Sequence, residues 1–135
     1  MAHRSKLSQI VIDCTDLHAA LAFWAGALGL PTAAAKIEEP YATLGDIGGL
    51  HIVVQRVPEP KTTKSRVHLD IETDDIAAEV RRLEALGARR LEQHESWWVM
   101  QDPGGNEFCV FGPHLSADFP AGTRAWDEQA DASRV

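Results

Sequence analysis

Two stretches of this chain repeat one another in spacing, helix cap and terminator, and that repetition limits the possible folds more than any other feature. Ser8–Leu30, SQIVIDCTDLHAALAFWAGALGL, and Val67–Ala88, VHLDIETDDIAAEVRRLEALGA, each read as an alternating strand, an acidic turn and a helix ending at Leu-Gly. Gln9 and His68 each stand seven residues before an aspartate, Asp16 and Asp75. An aspartate there caps a helix by accepting hydrogen bonds from its free backbone N–H groups. Leu17, Leu21, Trp24 and Leu28, and then Ile76, Val80, Leu83 and Leu86, recur at helical spacing. Trp24 is therefore expected in the core. Gly29 and Gly87 supply the residue type that ends a helix in a left-handed conformation.

The segments after the two helices also correspond. AAAKI, YATLGD and LHIVVQRV read as strands after the first helix, and RRLEQHE, WWVMQD and NEFCVFG after the second. Asp46–Val54, DIGGLHIVV, and Asp102–Val110, DPGGNEFCV, share a turn of Asp, any residue, Gly, Gly. The order is strand–helix–strand–strand–strand, twice, in modules at about residues 7–58 and 65–112. They form one domain over residues 1–114. PEPKTTKSR between them reads as an exposed linker, and residues 115–135 as an extended tail that docks on the body or a partner and frays at its end.

Composition narrows the partners. Thirteen Lys and Arg against 20 Asp and Glu leave a net charge of −7, which opposes nucleic acid and anionic membrane surfaces. Cys14 and Cys109 lie in apolar strands and do not make a disulfide framework. With neither a signal peptide nor a long apolar span in view, a reduced, cytoplasmic setting is expected. No Gly-rich phosphate loop leads into a helix, and Ser8 lies on the opposite strand face from His68.

The duplicated unit, with RVHLDIETDDIAAEVRRLEALGARR and WWVMQDPGGNEFCVFG as its most specific stretches, resembles the vicinal oxygen chelate superfamily. This group includes glyoxalase I, extradiol dioxygenases and bleomycin resistance proteins, and the likeness is greatest to glyoxalase-like members of actinobacterial type. The resemblance covers about residues 7–112. It implies an α+β fold, the glyoxalase/bleomycin resistance/dioxygenase fold, in which two βαβββ repeats form a half-open barrel around a concave pocket. It also implies a homodimer, since exposed sheet edges are completed by a second copy.

In the superfamily's enzymes, four inward side chains hold a divalent metal that stabilises developing negative charge on the substrate. Gln9 and His68 match the first and third ligands. The other two are normally glutamates, and in the closing strand the glutamate lies seven residues after the turn aspartate. Here that count reaches Cys109 from Asp102 and Val53 from Asp46. One imidazole, one amide, one thiol and one valine fall short of a catalytic metal's requirements. No cofactor is expected. A shifted set of Gln9, His68 and Glu107, or a zinc held by Cys109 with His68, are the metal-bearing alternatives.

Alternation turns Gln9 and Asp13 to one face of the first strand, and Ile10, Ile12 and Cys14 to the other. Val67, Leu69 and Ile71 are expected against the second helix, leaving His68, Asp70 and Glu72 inward. The expected ligand-binding residues are Gln9, Asp13, Val53, Gln55, His68, Asp70, Cys109 and Phe111. Asp13 and Glu72 are expected at the solvent rim. His68 with Asp70 is the candidate acid–base pair for metal-free catalysis. Trp97 and Trp98 point to opposite faces, so only one of them can line a pocket. The function these residues imply is binding of a small organic molecule without the usual metal. A metal-dependent lyase, isomerase or dioxygenase using the shifted set is the alternative.

Overall fold

The computed structural model describes residues 2–112, 116–119 and 121–126. It divides into two compact units, residues 1–60 and 61–135. The first holds β1 (Gln9–Cys14), α1 (Leu17–Leu28), a 3-10 turn (Thr32–Ala34), β2 (Lys36–Glu38), β3 (Tyr41–Ile47) and β4 (Leu50–Arg56). The second holds β5 (Leu69–Glu72), α2 (Ile76–Leu86), β6 (Arg89–Gln93), β7 (Trp97–Gln101) and β8 (Glu107–Phe111). Each is a βαβββ module with one four-stranded sheet, ordered β1-β4-β3-β2 in the first and β5-β8-β7-β6 in the second. β1 runs parallel to β4 and β5 to β8, while the remaining pairs are antiparallel.

The expected caps form. Asp16 accepts a hydrogen bond from Ala19 N–H at 3.1 Å, and Asp75 one from Ala78 N–H at 3.0 Å. Each satisfies a backbone donor that the first helical turn leaves without a partner. Gly29, at φ 71° and ψ 28°, closes α1 in the left-handed region.

Burial follows the periodicity. α1 sinks Leu17, Leu21, Phe23 and Trp24, and the rings of Phe23 and Trp24 meet edge to face at 5.1 Å. α2 buries Val80 and Leu83, and its sheet adds Met100, Phe108 and Val110. α2 also buries a bidentate ion pair, with Arg82 donating to both oxygens of Glu79 at 2.7 and 2.9 Å. The Trp126 ring lies 3.7 Å from the Arg82 guanidinium carbon. Ser116 gives two hydrogen bonds to Glu72. Tail residues therefore contact their own module at two points, while the fraying expected at the end of the tail falls on residues 127–135, outside the described residues.

The turn before β8 is built around Asp102, which is 1% exposed. Its carboxylate accepts from Gly104 N–H, Asn106 N–H and the Asn106 side-chain amide at 2.8–3.0 Å. Gly105, at φ 93°, takes a backbone conformation that L side chains rarely adopt. The pseudo-equivalent Asp46 makes a looser turn, accepting from Gly49 N–H at 3.3 Å.

Three local expectations need correction. Most of AAAKI is not strand: a 3-10 turn takes up Ala33 and Ala34, and β2 begins only at Lys36. Val67 does not pack on α2; it is 84% exposed, and β5 starts two residues later. The linker is not simply exposed, because Lys61 and Ser65 are half-buried and tied to Glu107.

Candidate functional site

Register places the candidate residues on one face within each module. In the first, Gln9 lies level with His51, Val11 with Val53 and Asp13 with Gln55, and Thr43 and Tyr41 extend these rows onto β3. Since side chains alternate along a strand, these residues share the face opposite Ile10, Ile12 and Cys14. Gln9 and Asp13 are exposed and Gln55 half-buried, whereas Val53 is 4% exposed and has no donor atom. Cys14 is buried on the other face, its thiol donating to the Gln55 carbonyl at 3.3 Å.

In the second module Asp70 lies level with Cys109, and Glu72 with Phe111. Across β8, Gln101 faces Glu107, Val99 faces Cys109 and Trp97 faces Phe111. His68, immediately before β5, falls on the same face as Asp70 by alternation. Its Nε2 stands 3.1 Å from Asp70 Oδ1. One ligand atom from each of His68, Asp70 and Cys109 lies within 4.8 Å of the others. Burial pushes the Cys109 thiol pKa up, the charge of Asp70 adds to this, and Lys64 opposes it. The thiol is therefore held protonated rather than activated.

Glu107 is already engaged. Lys61 Nζ donates to its Oε1 at 2.7 Å and Ser65 N–H to its Oε2 at 3.0 Å, with 10% of the Glu107 side chain exposed. Burial alone would raise this carboxyl, but the bonds from Lys61 and Ser65 outweigh it and bring its pKa down to about 2. Neither partner could be found in the sequence, since both sit in the linker, 46 and 42 residues away. The only signal is an inward carboxylate on a strand, which calls for a counter-charge.

Asp13 is exposed, as a rim residue would be, while Glu72 is half-buried and bound by Ser116. Trp97 and Trp98 point to opposite faces: Trp97 stacks on His94 at 4.4 Å, and the Arg90 guanidinium lies 5.3 Å from the Trp98 ring centre. Contrary to the expectation that only one of them could line a pocket, both line a cavity of about 450 Å³ beside α2, with Val80, Arg81, Arg90 and His94 among the other walls.

The profile of a family described as "Glyoxalase-like domain" matches residues 9–111, most of the chain. The chain belongs to that glyoxalase-like family. No curated protein matches the sequence. Among solved structures, a glyoxalase-related enzyme from Fulvimarina pelagi aligns with a TM-score of 0.63 at 17% identity, covering 85% of this chain and 95% of the other. The fosfomycin resistance protein FosX from Mesorhizobium loti aligns with a TM-score of 0.63 at 16% identity, covering 84% and 96%. A glyoxalase/bleomycin resistance protein/dioxygenase family enzyme from Burkholderia phytofirmans PsJN aligns with a TM-score of 0.61 at 20% identity, covering 78% and 97%. At these identities the likeness establishes the α+β, two-module fold. Among the described residues of this family member, no helix is long and apolar enough to cross a membrane.

The superfamily's divalent metal can be tested against these residues. Val53 offers no donor, Cys109 offers a protonated thiol, and the nearest carboxylate on β8 is neutralised by Lys61. A hard cation needs several oxygen ligands. The residues present do not fit it.

Proposed function

We propose that this glyoxalase-like protein binds a small organic molecule and does so without the divalent-metal centre usual in the superfamily. One observation carries the reading: Glu107, the carboxylate nearest Cys109 on β8, is held by Lys61 and Ser65, and by the seven-residue count that the resemblance implies, Val53 and Cys109 stand where carboxylates are expected. The candidate ligand contacts are Gln9, Asp13, Val53 and Gln55 within the first module, and His68, Asp70, Cys109 and Phe111 within the second. Exposed Asp13 and Asp70 favour a polar or cationic ligand, which the apolar Val53 and Phe111 complement. The protein is proposed to act as a cytoplasmic homodimer, with no nucleic-acid or membrane partner. The closer likeness to actinobacterial members is part of the same proposal and rests on the two quoted sequence stretches.

The alternative, a lyase, isomerase or dioxygenase with a metal on Gln9, His68 and Glu107, requires Glu107 to exchange Lys61 and Ser65 for the ion. A thermal-shift screen of chelator-treated protein with small cationic and neutral organic molecules separates the two. At least one stabilising compound is expected, with its effect reduced at least several-fold in Asp70→Asn. Stabilisation that appears only after Mg²⁺ or Mn²⁺ is restored would overturn the metal-free reading.

A further inference from the structure

The cavity beside α2 lies wholly within the second module, and none of the candidate ligand residues on the β5 and β8 face lines it. Its walls come from the first half of α2 and from the β6–β7 hairpin. Ile76 and Val80, one helical turn apart, give it an apolar side. Trp97 and Trp98 add two indole rings, and Arg81 and Arg90 add two permanent positive charges. We propose that this cavity is a second binding site, for a flat aromatic molecule that carries a carboxylate or similar anionic group.

The aromatic walls are already held in place. His94 stacks on Trp97 with ring centres 4.4 Å apart and planes 13° apart. The Arg90 guanidinium lies 5.3 Å from the Trp98 ring centre, and Glu84, outside the cavity, holds Arg90 through a 2.8 Å bond to Nη2. A guanidinium carries five N–H donors, so this single bond does not exhaust it. Rings fixed in advance lose little freedom when a ligand stacks on them. Trp97 is 38% exposed, which leaves aromatic surface for a flat molecule to cover.

Charge selects the ligand class. The walls hold two arginines against one carboxylate, Glu95, in a chain whose net charge is −7. Glu84 and Glu92 stand behind the walls, paired with Arg90 and with His94 Nε2 at 3.6 Å. A cationic aromatic would meet the guanidinium already beside Trp98 and be repelled, whereas an anion is attracted to it. A volume of about 450 Å³ suits a fused two-ring acid. The site stands apart from the proposed function and takes a ligand of the opposite charge preference.

The test is isothermal titration calorimetry with 2-naphthoate, and with 2-naphthylmethylammonium as its cationic counterpart. The expected result is saturable one-to-one binding of naphthoate with a Kd of about 1 mM or tighter, and at least tenfold weaker binding of the ammonium. Naphthoate affinity should fall at least fivefold in Arg81→Gln/Arg90→Gln. It should fall as far in Ala77→Phe, which places a ring in the cavity from an exposed helical position. Asp70→Asn, on the other face of the sheet, should leave it unchanged. Circular dichroism checks that each variant is folded. No saturable naphthoate binding, equal binding of the ammonium, unchanged affinity in both cavity variants, or a loss in Asp70→Asn as large as in Ala77→Phe would overturn the proposal. The proposed function is read through Asp70 instead, so failure of this site leaves it standing.

Discussion

At the residue scale, Glu107 shows how an internal ammonium satisfies a largely buried carboxylate. A carboxylate with 10% of its side chain exposed pays a desolvation cost unless a cation or several donors face it, and Lys61 and Ser65 meet that need. Removing the cation should be costly, because the charge stays buried: Lys61→Met is expected to lower stability by about 2–3 kcal/mol in urea unfolding. The pH dependence has a definite sign. The Glu107 pKa falls on folding, from an ordinary 4.5 to about 2. Its contribution is therefore complete above pH 4.5 and is lost as pH falls through 2. The stability gap between wild type and Glu107→Gln should shrink across that window; a gap independent of pH would contradict the ion pair. Cys109, His68 and Asp70 are legible in sequence as neighbours on one face, because strand alternation and the Asp-x-Gly-Gly count both lead to them. Lys61 is not, since a polar linker carries no mark of a distant partner.

Among the elements, the repeat carries most of the information. Cap, helix face and terminator are local features, so sequence alone places α1, α2 and the strands that lead into them. Burial of a strand's first residue is not local, and Val67 shows the limit. An apolar residue in step with Leu69 and Ile71 remains at the surface because β5 begins after it. AAAKI misleads for a related reason, since a run of alanines has no alternation to separate strand from turn. Asp75→Ala should remove the α2 cap at a cost of about 1 kcal/mol, measured as a fall in urea midpoint at unchanged slope. Gly112→Ala should cost more than the lost cap, because its β-carbon would collide with the Thr73 carbonyl oxygen rather than a yielding side chain. Equal effects in the two variants would argue against that backbone approach.

For the whole molecule, the two modules share a topology and have diverged in chemistry. The first offers amide, carboxylate and valine on its polar face, while the second offers imidazole, carboxylate and thiol. The family is legible because the duplicated unit and the DPGGN turn arise from backbone requirements that tolerate wide sequence change. Ligand identity is not, since it depends on side chains that vary freely once the fold is secured. Above all, the proposed function requires that carboxylates be missing where the superfamily holds its metal. Mn²⁺ binding, followed by electron paramagnetic resonance in wild type and in Val53→Glu/Cys109→Glu, tests this most directly. The expected result is no stoichiometric binding by the wild type and about one equivalent bound by the double variant. Stoichiometric Mn²⁺ in the wild type, or none in a folded double variant, would contradict it.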